Sequence, residues 1–129
     1  MLFLLVATLS FATGEEKQYT LQDVPNVRLN DARQYVSDPS HILSGSARDT
    51  INAVLARLEE STGIETAVVM LPSIGEEDIF NFAHELFRQW GIGKQKSNNG
   101  LLILFVMDQR KVRFTVVYCY PLLILLLIL

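Results

Sequence analysis

Two neighbouring stretches decide the fold: residues 86–93 read LFRQWGIG, and residues 98–104 read NNGLLIL. The apolar residues that lead up to Trp90 are spaced as on one face of a helix. Gly91 is suited to end that helix, because glycine adopts the left-handed backbone without steric cost. Residues 101–107 are an uninterrupted apolar run of strand length, typical of a strand that is buried on both faces. The pattern therefore predicts half of a parallel strand–helix–strand unit.

The preceding sequence supplies the other half of such a unit. Residues 35–36 predict a short strand, and the apolar run at residues 66–71 predicts a second, buried strand. Between them a helix is expected, with a cap at Ser44 or Ser46 and a stop at Gly63. Its apolar face is predicted from helical spacing to contain Ile51, Val54, Leu55 and Leu58.

Three further signals complete the order of elements. Residues 73–76 have the spacing of a capping box and predict the start of the second helix. Residues 108–111 predict a hairpin turn, and residues 112–115 predict the returning strand. The resulting order, β-α-β-α-β-β, predicts an α/β fold class: a three-layer α/β/α sandwich whose mostly parallel sheet ends in an antiparallel return strand.

Length and charge limit the remaining possibilities. A chain of 129 residues has room for one domain, and its formal charge of -3 argues against nucleic acid as a partner. The only cysteine is Cys119, so no internal disulfide can form. Residues 1–12 carry no charge and predict the apolar core of a signal peptide, the alternative being a buried first strand. We expect an extended lead-in at 13–34, the α/β domain at 35–117 and an apolar tail at 118–129.

The residues that follow the predicted strands are rich in carboxylates. Asp38 follows the first strand, Glu76 lies beyond the second, and Asp108 follows the third. Carboxyl ends of parallel strands meet at one edge of a sheet, where ligands gather. Several carboxylates there suit Ca²⁺, which takes six to eight oxygen ligands. We therefore predict Asp38, Glu76 and Asp108 as metal ligands, with Ca²⁺ as the candidate cofactor. The alternative is that they only form turns and begin a helix.

Sharper catalytic motifs are missing from the sequence. His84-Glu85 begins a metalloprotease pair, but Arg88 stands where the second histidine is required. There is no Gly-x-Ser-x-Gly elbow. Residues 91–93 could form a phosphate-binding nest, although ending a helix is the more ordinary role for such glycines. The catalytic residues are therefore unknown at this stage.

Residues 23–115 contain short motifs in a fixed order: DAR and YVSDP at 31–39, TGIE at 62–65, AVV at 67–69, WGIG at 90–93, NNG at 98–100 and DQRKVR at 108–113. In this order and spacing they resemble the TPM domain family. It implies a three-layer α/β sandwich in an exported, often membrane-tethered protein. Some relatives are linked to acid phosphatase activity, some to calcium binding, and plant relatives to photosystem II repair.

The chain departs from this family after about residue 115. The family normally continues with a Gly-Tyr-Gly-x-Glu stretch and another helix, whereas residues 116–121 here read VVYCYP. Three interpretations of the apolar end stay open: a truncated or frameshifted gene product, a truncated membrane anchor, or a buried extra strand.

Three functional hypotheses follow. The first is an exported, periplasmic or membrane-associated module that binds an envelope protein partner and contacts the membrane through its apolar ends. The second is a metal-assisted acid phosphatase. The third is an inactive fragment of a longer TPM protein.

Overall fold

A computed structural model describes residues 17–93 and 99–116. The predictions made for residues 1–12, for Cys119 and for the apolar tail at 118–129 lie outside these residues. Two short 3-10 turns, Leu21–Asp23 and Val27–Leu29, precede the regular elements. These are β1 Val36–Ser37, α1 Gly45–Thr62, β2 Glu65–Leu71, α2 Ile79–Trp90, β3 Gly100–Val106 and β4 Lys111–Val116. The predicted order of strands and helices is confirmed.

The strands form a single sheet in the order β1-β2-β3-β4. β1, β2 and β3 run parallel, so that Ser37 pairs with Val69 and Val69 pairs with Leu104. β4 returns antiparallel to β3, with Phe114 opposite Ile103. The predicted α/β fold, a mostly parallel sheet with one antiparallel return strand, is therefore confirmed.

Each helix packs on a different face of this sheet. On one face α2 covers alternate residues of β2 and β3, including Val69, Leu102 and Leu104, all fully buried. On the other face α1 packs on Val68 and Met70 of β2 and on residues of β1. Alternation along β2 explains the two clusters, because successive side chains of a strand point to opposite faces.

The start of α2 differs from the prediction. The expected capping box at Ser73 is wrong: α2 begins at Ile79, and the Asp78 carboxylate accepts a hydrogen bond from the Asn81 N–H at 3.1 Å. Gly75 has a φ of +70°, which a right-handed helix does not allow. The Ser73 hydroxyl instead accepts from the Gly75 N–H and donates to Asp108.

The first helix agrees with the prediction at both ends. The Ser44 hydroxyl accepts from the Ala47 N–H at 3.2 Å, and Gly63 ends the helix with a φ of +74°. The apolar face is wrong at one position, since Val54 is 56% exposed. Asn52 is buried instead, where its side-chain oxygen accepts from the Tyr35 N–H at 2.8 Å. A hydrogen-bonded amide can take a core position that an apolar pattern would not assign to it.

The lead-in before β1 packs against the domain in its described part, from residue 17 onward. Tyr19 and Val24 are buried in the cluster beneath α2, and the Tyr19 N–H donates to the Ser73 carbonyl at 2.9 Å. The two 3-10 turns interrupt the extended conformation expected there. Among the helices of residues 17–93 and 99–116, none is long and apolar enough to cross a bilayer.

Candidate functional site

Asp108 lies in the turn after β3, in contact with the loop that follows β2. The Ser73 hydroxyl donates to its carboxylate at 2.7 Å, and the hydroxyl is itself held by the Gly75 N–H at 3.0 Å. In the same turn, the Gln109 side-chain amide donates to the Glu77 carbonyl at 3.4 Å. The structure therefore brings the turn of Asp108 next to the loop that carries Glu76.

Asp38 lies apart from these residues and closes its own turn. One of its carboxylate oxygens accepts from the Ile42 N–H at 2.9 Å and the other from the Leu43 N–H at 2.8 Å. β2 lies between the strands that Asp38 and Asp108 follow, which separates the two by roughly 10 Å across the sheet. The geometry at Asp38 is that of a turn-forming aspartate.

The three predicted metal ligands are not gathered into one cluster. Within the described ranges, no group of three or more His, Cys, Asp or Glu side chains is close enough to hold a metal ion. The binding of Ca²⁺ by this chain stays a prediction.

An acidic cleft of about 560 Å³ lies between the lead-in and the start of α2. Its floor contains the buried side chains of Tyr19, Ile74 and Phe82. Its remaining lining residues are Gln18, Thr20, Leu21, Gln22, Gly75, Glu76, Glu77, Asp78, Asn81 and Glu85. Four of these are carboxylates, and none of the described lining residues is Lys or Arg. The cleft therefore has an apolar floor and a negatively charged rim.

The cleft continues along α2 toward the C-terminal end of the helix. A cavity of about 430 Å³ shares Leu21, Gln22 and Glu85 with it and adds Arg88 and Gln89. A third cavity, of about 350 Å³, shares Gln89 and reaches Leu29 and Trp90. We call this continuous depression, between residues 18–29 and the outer side of α2, the α2 groove. It is acidic where α2 begins and more apolar where α2 ends.

A family comparison identifies the domain to which α2, one wall of this groove, belongs. A model of the TPM domain matches residues 36–120. The chain belongs to the TPM domain family. It is also similar to the N-terminal domain of a protein from P. gingivalis, solved in solution by NMR, at 44% sequence identity and a TM-score of 0.73. The match covers 79% of this chain and 65% of that domain, so this chain spans less than two thirds of its length. No curated protein matches the chain.

A network of charged groups lines a further cavity of about 230 Å³, which also reaches Trp90. Arg28 binds both carboxylate oxygens of Glu59, at 3.1 and 3.3 Å, and its guanidinium lies 4.6 Å from the centre of the Tyr35 ring. The Tyr35 hydroxyl donates to the same carboxylate at 2.5 Å. Burial, and next the Glu59 carboxylate, raise the pKa of Tyr35 to about 12. This network ties the lead-in to α1.

The glycines of residues 91–93 serve the fold of the TPM domain. Gly91 ends α2 with a φ of +63°, and its N–H donates to the Phe87 and Arg88 carbonyls. The Gly93 N–H donates to the Glu65 carboxylate at 3.0 Å, so an acidic side chain of the chain itself occupies the position expected for a phosphate. His84 is exposed on α2 and stacks on Phe80, with 6.2 Å between ring centres.

Sequence reasoning missed the α2 groove because it treated residues 13–34 as a connector. One feature of the sequence could have indicated that this segment packs on the domain. Tyr19, Leu21 and Val24 are closely spaced apolar residues in a mostly polar stretch, and burial of such residues against a nearby surface is favourable. Their partner surface, the apolar cluster that α2 forms with the sheet, exists only after folding.

Proposed function

We propose that this TPM domain is an exported binding module of the cell envelope and that its ligand-binding site is the acidic end of the α2 groove. One observation carries the proposal: the 560 Å³ cleft combines a buried apolar floor with Glu76, Glu77, Asp78 and Glu85 at its rim. Apolar pockets with a few convergent polar groups are the usual form of binding sites. The uncharged, apolar residues 1–12 support export, since they have the composition of a signal-peptide core.

The shape of the groove favours an extended peptide from a protein partner. α2 has 12 residues, which makes the groove roughly 18 Å long. Five or six residues of extended chain span about this distance. A segment with Lys or Arg at one end would be attracted by the acidic rim, and an apolar side chain at its other end would meet Leu29 and Trp90.

Calcium is a second candidate ligand, for a specific reason. The Gln109–Glu77 hydrogen bond holds the turn of Asp108 against the loop of Glu76, so these two turns, with their carboxylates and carbonyls, meet at one corner of the sheet. Ca²⁺ accepts such mixed oxygen ligands, and in extracellular modules it binds with dissociation constants of roughly 10⁻⁴–10⁻³ M. Asp38 does not belong to this corner, because both of its carboxylate oxygens bind its own turn.

The phosphatase alternative has one feature in its favour. The Ser73 hydroxyl is 2.7 Å from the Asp108 carboxylate, a geometry in which a carboxylate could take a proton from a hydroxyl. Against it, Ser73 is only 4% exposed, and its oxygen also accepts from the Gly75 N–H. If neither binding nor hydrolysis is found, the remaining proposal is an inactive fragment of a longer TPM protein.

The binding proposal is tested by selecting ligands from a random peptide display library with the full chain. We expect selected peptides to carry Lys or Arg at one end and apolar residues at the other. Binding should weaken about tenfold or more in the double variant Glu76→Gln/Glu77→Gln, which removes two rim charges. The matched control, Asp49→Asn/Glu60→Gln, removes two exposed charges on α1 and should bind as the wild type does.

Three results separate the alternatives. Selection without enrichment of basic peptides, or equal binding by both double variants, would refute the peptide site. Heat released on titration with CaCl₂, lost in Asp108→Asn and in Glu76→Gln/Glu77→Gln, would support calcium. Hydrolysis of para-nitrophenyl phosphate that Ser73→Ala abolishes would support the phosphatase, provided that thermal unfolding shows the variant to be folded.

A further inference from the structure

A separate cavity lies beside the apolar end of the α2 groove. It is the cavity of about 230 Å³ that is lined by residues 26–32, by the end of α1, by the start of β2 and by the end of α2. Because one water molecule takes up about 30 Å³ of liquid, this volume has room for roughly seven non-hydrogen atoms. We call it the Glu65 cavity. It shares Asn26, Leu29 and Trp90 with the α2 groove, whereas Glu65 lines the cavity alone.

Much of the wall of the Glu65 cavity is apolar. Tyr35, Ala67 and Ile92 line it and are buried, and Val27 and Trp90 line it and are half-buried. Small ligands bind in cavities of this kind by burying hydrocarbon against such side chains, while a few polar groups fix their orientation. The charged residues of the wall therefore decide which hydrocarbon-bearing ligand fits.

Three charged side chains of the described residues line the cavity, and two of them neutralise each other. Arg28 binds both carboxylate oxygens of Glu59, which also accepts from the Tyr35 hydroxyl. The third is Glu65, whose Oε2 accepts from the Gly93 N–H at 3.0 Å. In residues 17–93 and 99–116, no hydrogen bond or ion pair engages its Oε1. The cavity thus has one negative charge in excess and one carboxylate oxygen that can accept from a ligand.

We propose that the Glu65 cavity binds a primary alkylammonium group with a chain of about five carbons, either a free amine or the lysine side chain of a partner. The ammonium donates to Glu65 Oε1, and the alkyl chain packs against Ala67, Ile92 and Trp90. Charge selects this class of ligand. An anion would meet the Glu65 carboxylate while Arg28 is held by Glu59, and a neutral alkyl chain would leave the charge of Glu65 unmatched.

The inference goes beyond the proposed peptide site and does not depend on it. The rim charges of the α2 groove, Glu76 and Glu77, precede α2, whereas the Glu65 cavity lies at the other end of this helix, at Trp90. Substitutions at the rim should therefore affect peptides and not amines, and substitutions of Glu65 should affect amines. The failure of one proposal can be told from the failure of the other.

The fluorescence of Trp90, the only tryptophan of the chain, provides the first test. Titration of the full chain with n-pentylammonium chloride should change its emission and reach saturation, relative to NaCl at equal ionic strength. n-Pentanol has the same alkyl chain without the charge and should bind about tenfold more weakly. Glu65→Gln should weaken the binding of pentylammonium about tenfold, although its amide oxygen can still accept from the Gly93 N–H. Glu60→Gln, at an exposed position of α1, and Glu76→Gln/Glu77→Gln should bind as the wild type does.

A second measurement locates the ligand without relying on fluorescence. The Gly93 amide donates to Glu65, so its proton–nitrogen NMR signal should shift with pentylammonium and stay in place with pentanol. N-acetyl-lysine methylamide separates the two sources: binding at least as tight as that of pentylammonium would assign the cavity to a partner's lysine, and weaker binding would assign it to a free amine. Equal binding of pentylammonium and pentanol, equal binding by the wild type and Glu65→Gln, or an unmoved Gly93 signal in excess amine would overturn the proposal.

Discussion

The two faces of the sheet are covered to very different extents. Beneath α2, Leu86, Leu102, Leu104 and Val106 have no exposed surface. On the α1 side, β3 and β4 leave Val112 and Phe114 about half exposed. The difference arises because α2 packs on β3 and β4, whereas α1, with Ile42 and Leu43 beside it, packs on β1 and β2. One helix is about 10 Å wide and cannot cover four strands that lie about 4.8 Å apart.

The largest effect is expected from Leu86→Ala in α2. This side chain is fully buried, so its removal should lower the free energy of unfolding by about 2–5 kcal/mol, through lost burial and a residual cavity. Urea unfolding followed by circular dichroism measures it. Leu58→Ala, in a half-buried position of α1, is the matched control and should cost clearly less. Equal losses would mean that the two faces contribute alike to stability.

The second largest loss of stability is expected from a substitution in the connection between α2 and β3. Gly93 has a φ of +79°, and a Cβ there would lie 2.7 Å from backbone atoms of Asn99 and Gly100. Gly93→Ala should therefore cost about 2–4 kcal/mol, from left-handed strain and overpacking together. Gly91→Ala meets no atom within 4 Å and should cost only the strain, about 1–2 kcal/mol. Similar unfolding midpoints for the two variants would contradict this order.

The α1 side should lose stability in alkaline solution. Burial and the Glu59 carboxylate raise the pKa of Tyr35 to about 12, so the folded chain keeps a proton that the unfolded chain loses near pH 10. Stability is thus unaffected by this group below pH 10 and falls by roughly 2 kcal/mol as the pH rises toward 12. The measurement is the difference in unfolding free energy between the wild type and Tyr35→Phe across this range. A difference that stays constant with pH would argue against the raised pKa.

The smallest effect on stability is expected at the exposed face. Phe114 is 60% exposed, so Phe114→Ser should change the free energy of unfolding by no more than about 0.5 kcal/mol. Thermal unfolding measures this. A loss of several kcal/mol would show that another part of the chain buries Phe114, and the two faces would then be more alike than the described residues indicate.

Much of this fold could be predicted from the sequence, because its main signals are local. The continuous apolar runs of β2 and β3, the cap at Ser44 and the stops at Gly63 and Gly91 all depend on residues close together in the chain. The predictions were wrong where a residue far away in the chain determines the local structure. Ser73 has the spacing of a helix cap, but its hydroxyl binds Asp108, 35 residues away. Val54 has the spacing of a core residue, but Asn52 takes the buried position because Tyr35 supplies a donor.

The candidate site, too, could be predicted from the sequence only in part. The carboxylates of residues 76–78 could be recognised as a cluster from the sequence. That they border a groove could not, since its other wall comes from residues 18–29, some 50 residues earlier in the chain. The predicted grouping of Asp38 with Asp108 assumed that residues at one sheet edge converge. β2 lies between the two strands, and the carboxylate of Asp38 is directed into its own turn.

By itself the sequence determined the family, the order of the elements and the alternation of β2 between two apolar clusters, because periodicity and turn chemistry act over a few residues. Only the tertiary structure decided which apolar residues are covered. Half-buried Ile103 and Phe105 alternate with fully buried Leu102 and Leu104 along β3, their neighbours Phe114 and Val112 on β4 are exposed, and all six are apolar. Whether such a side chain is buried or exposed depends on how much of the sheet a helix covers. The local sequence pattern does not indicate this.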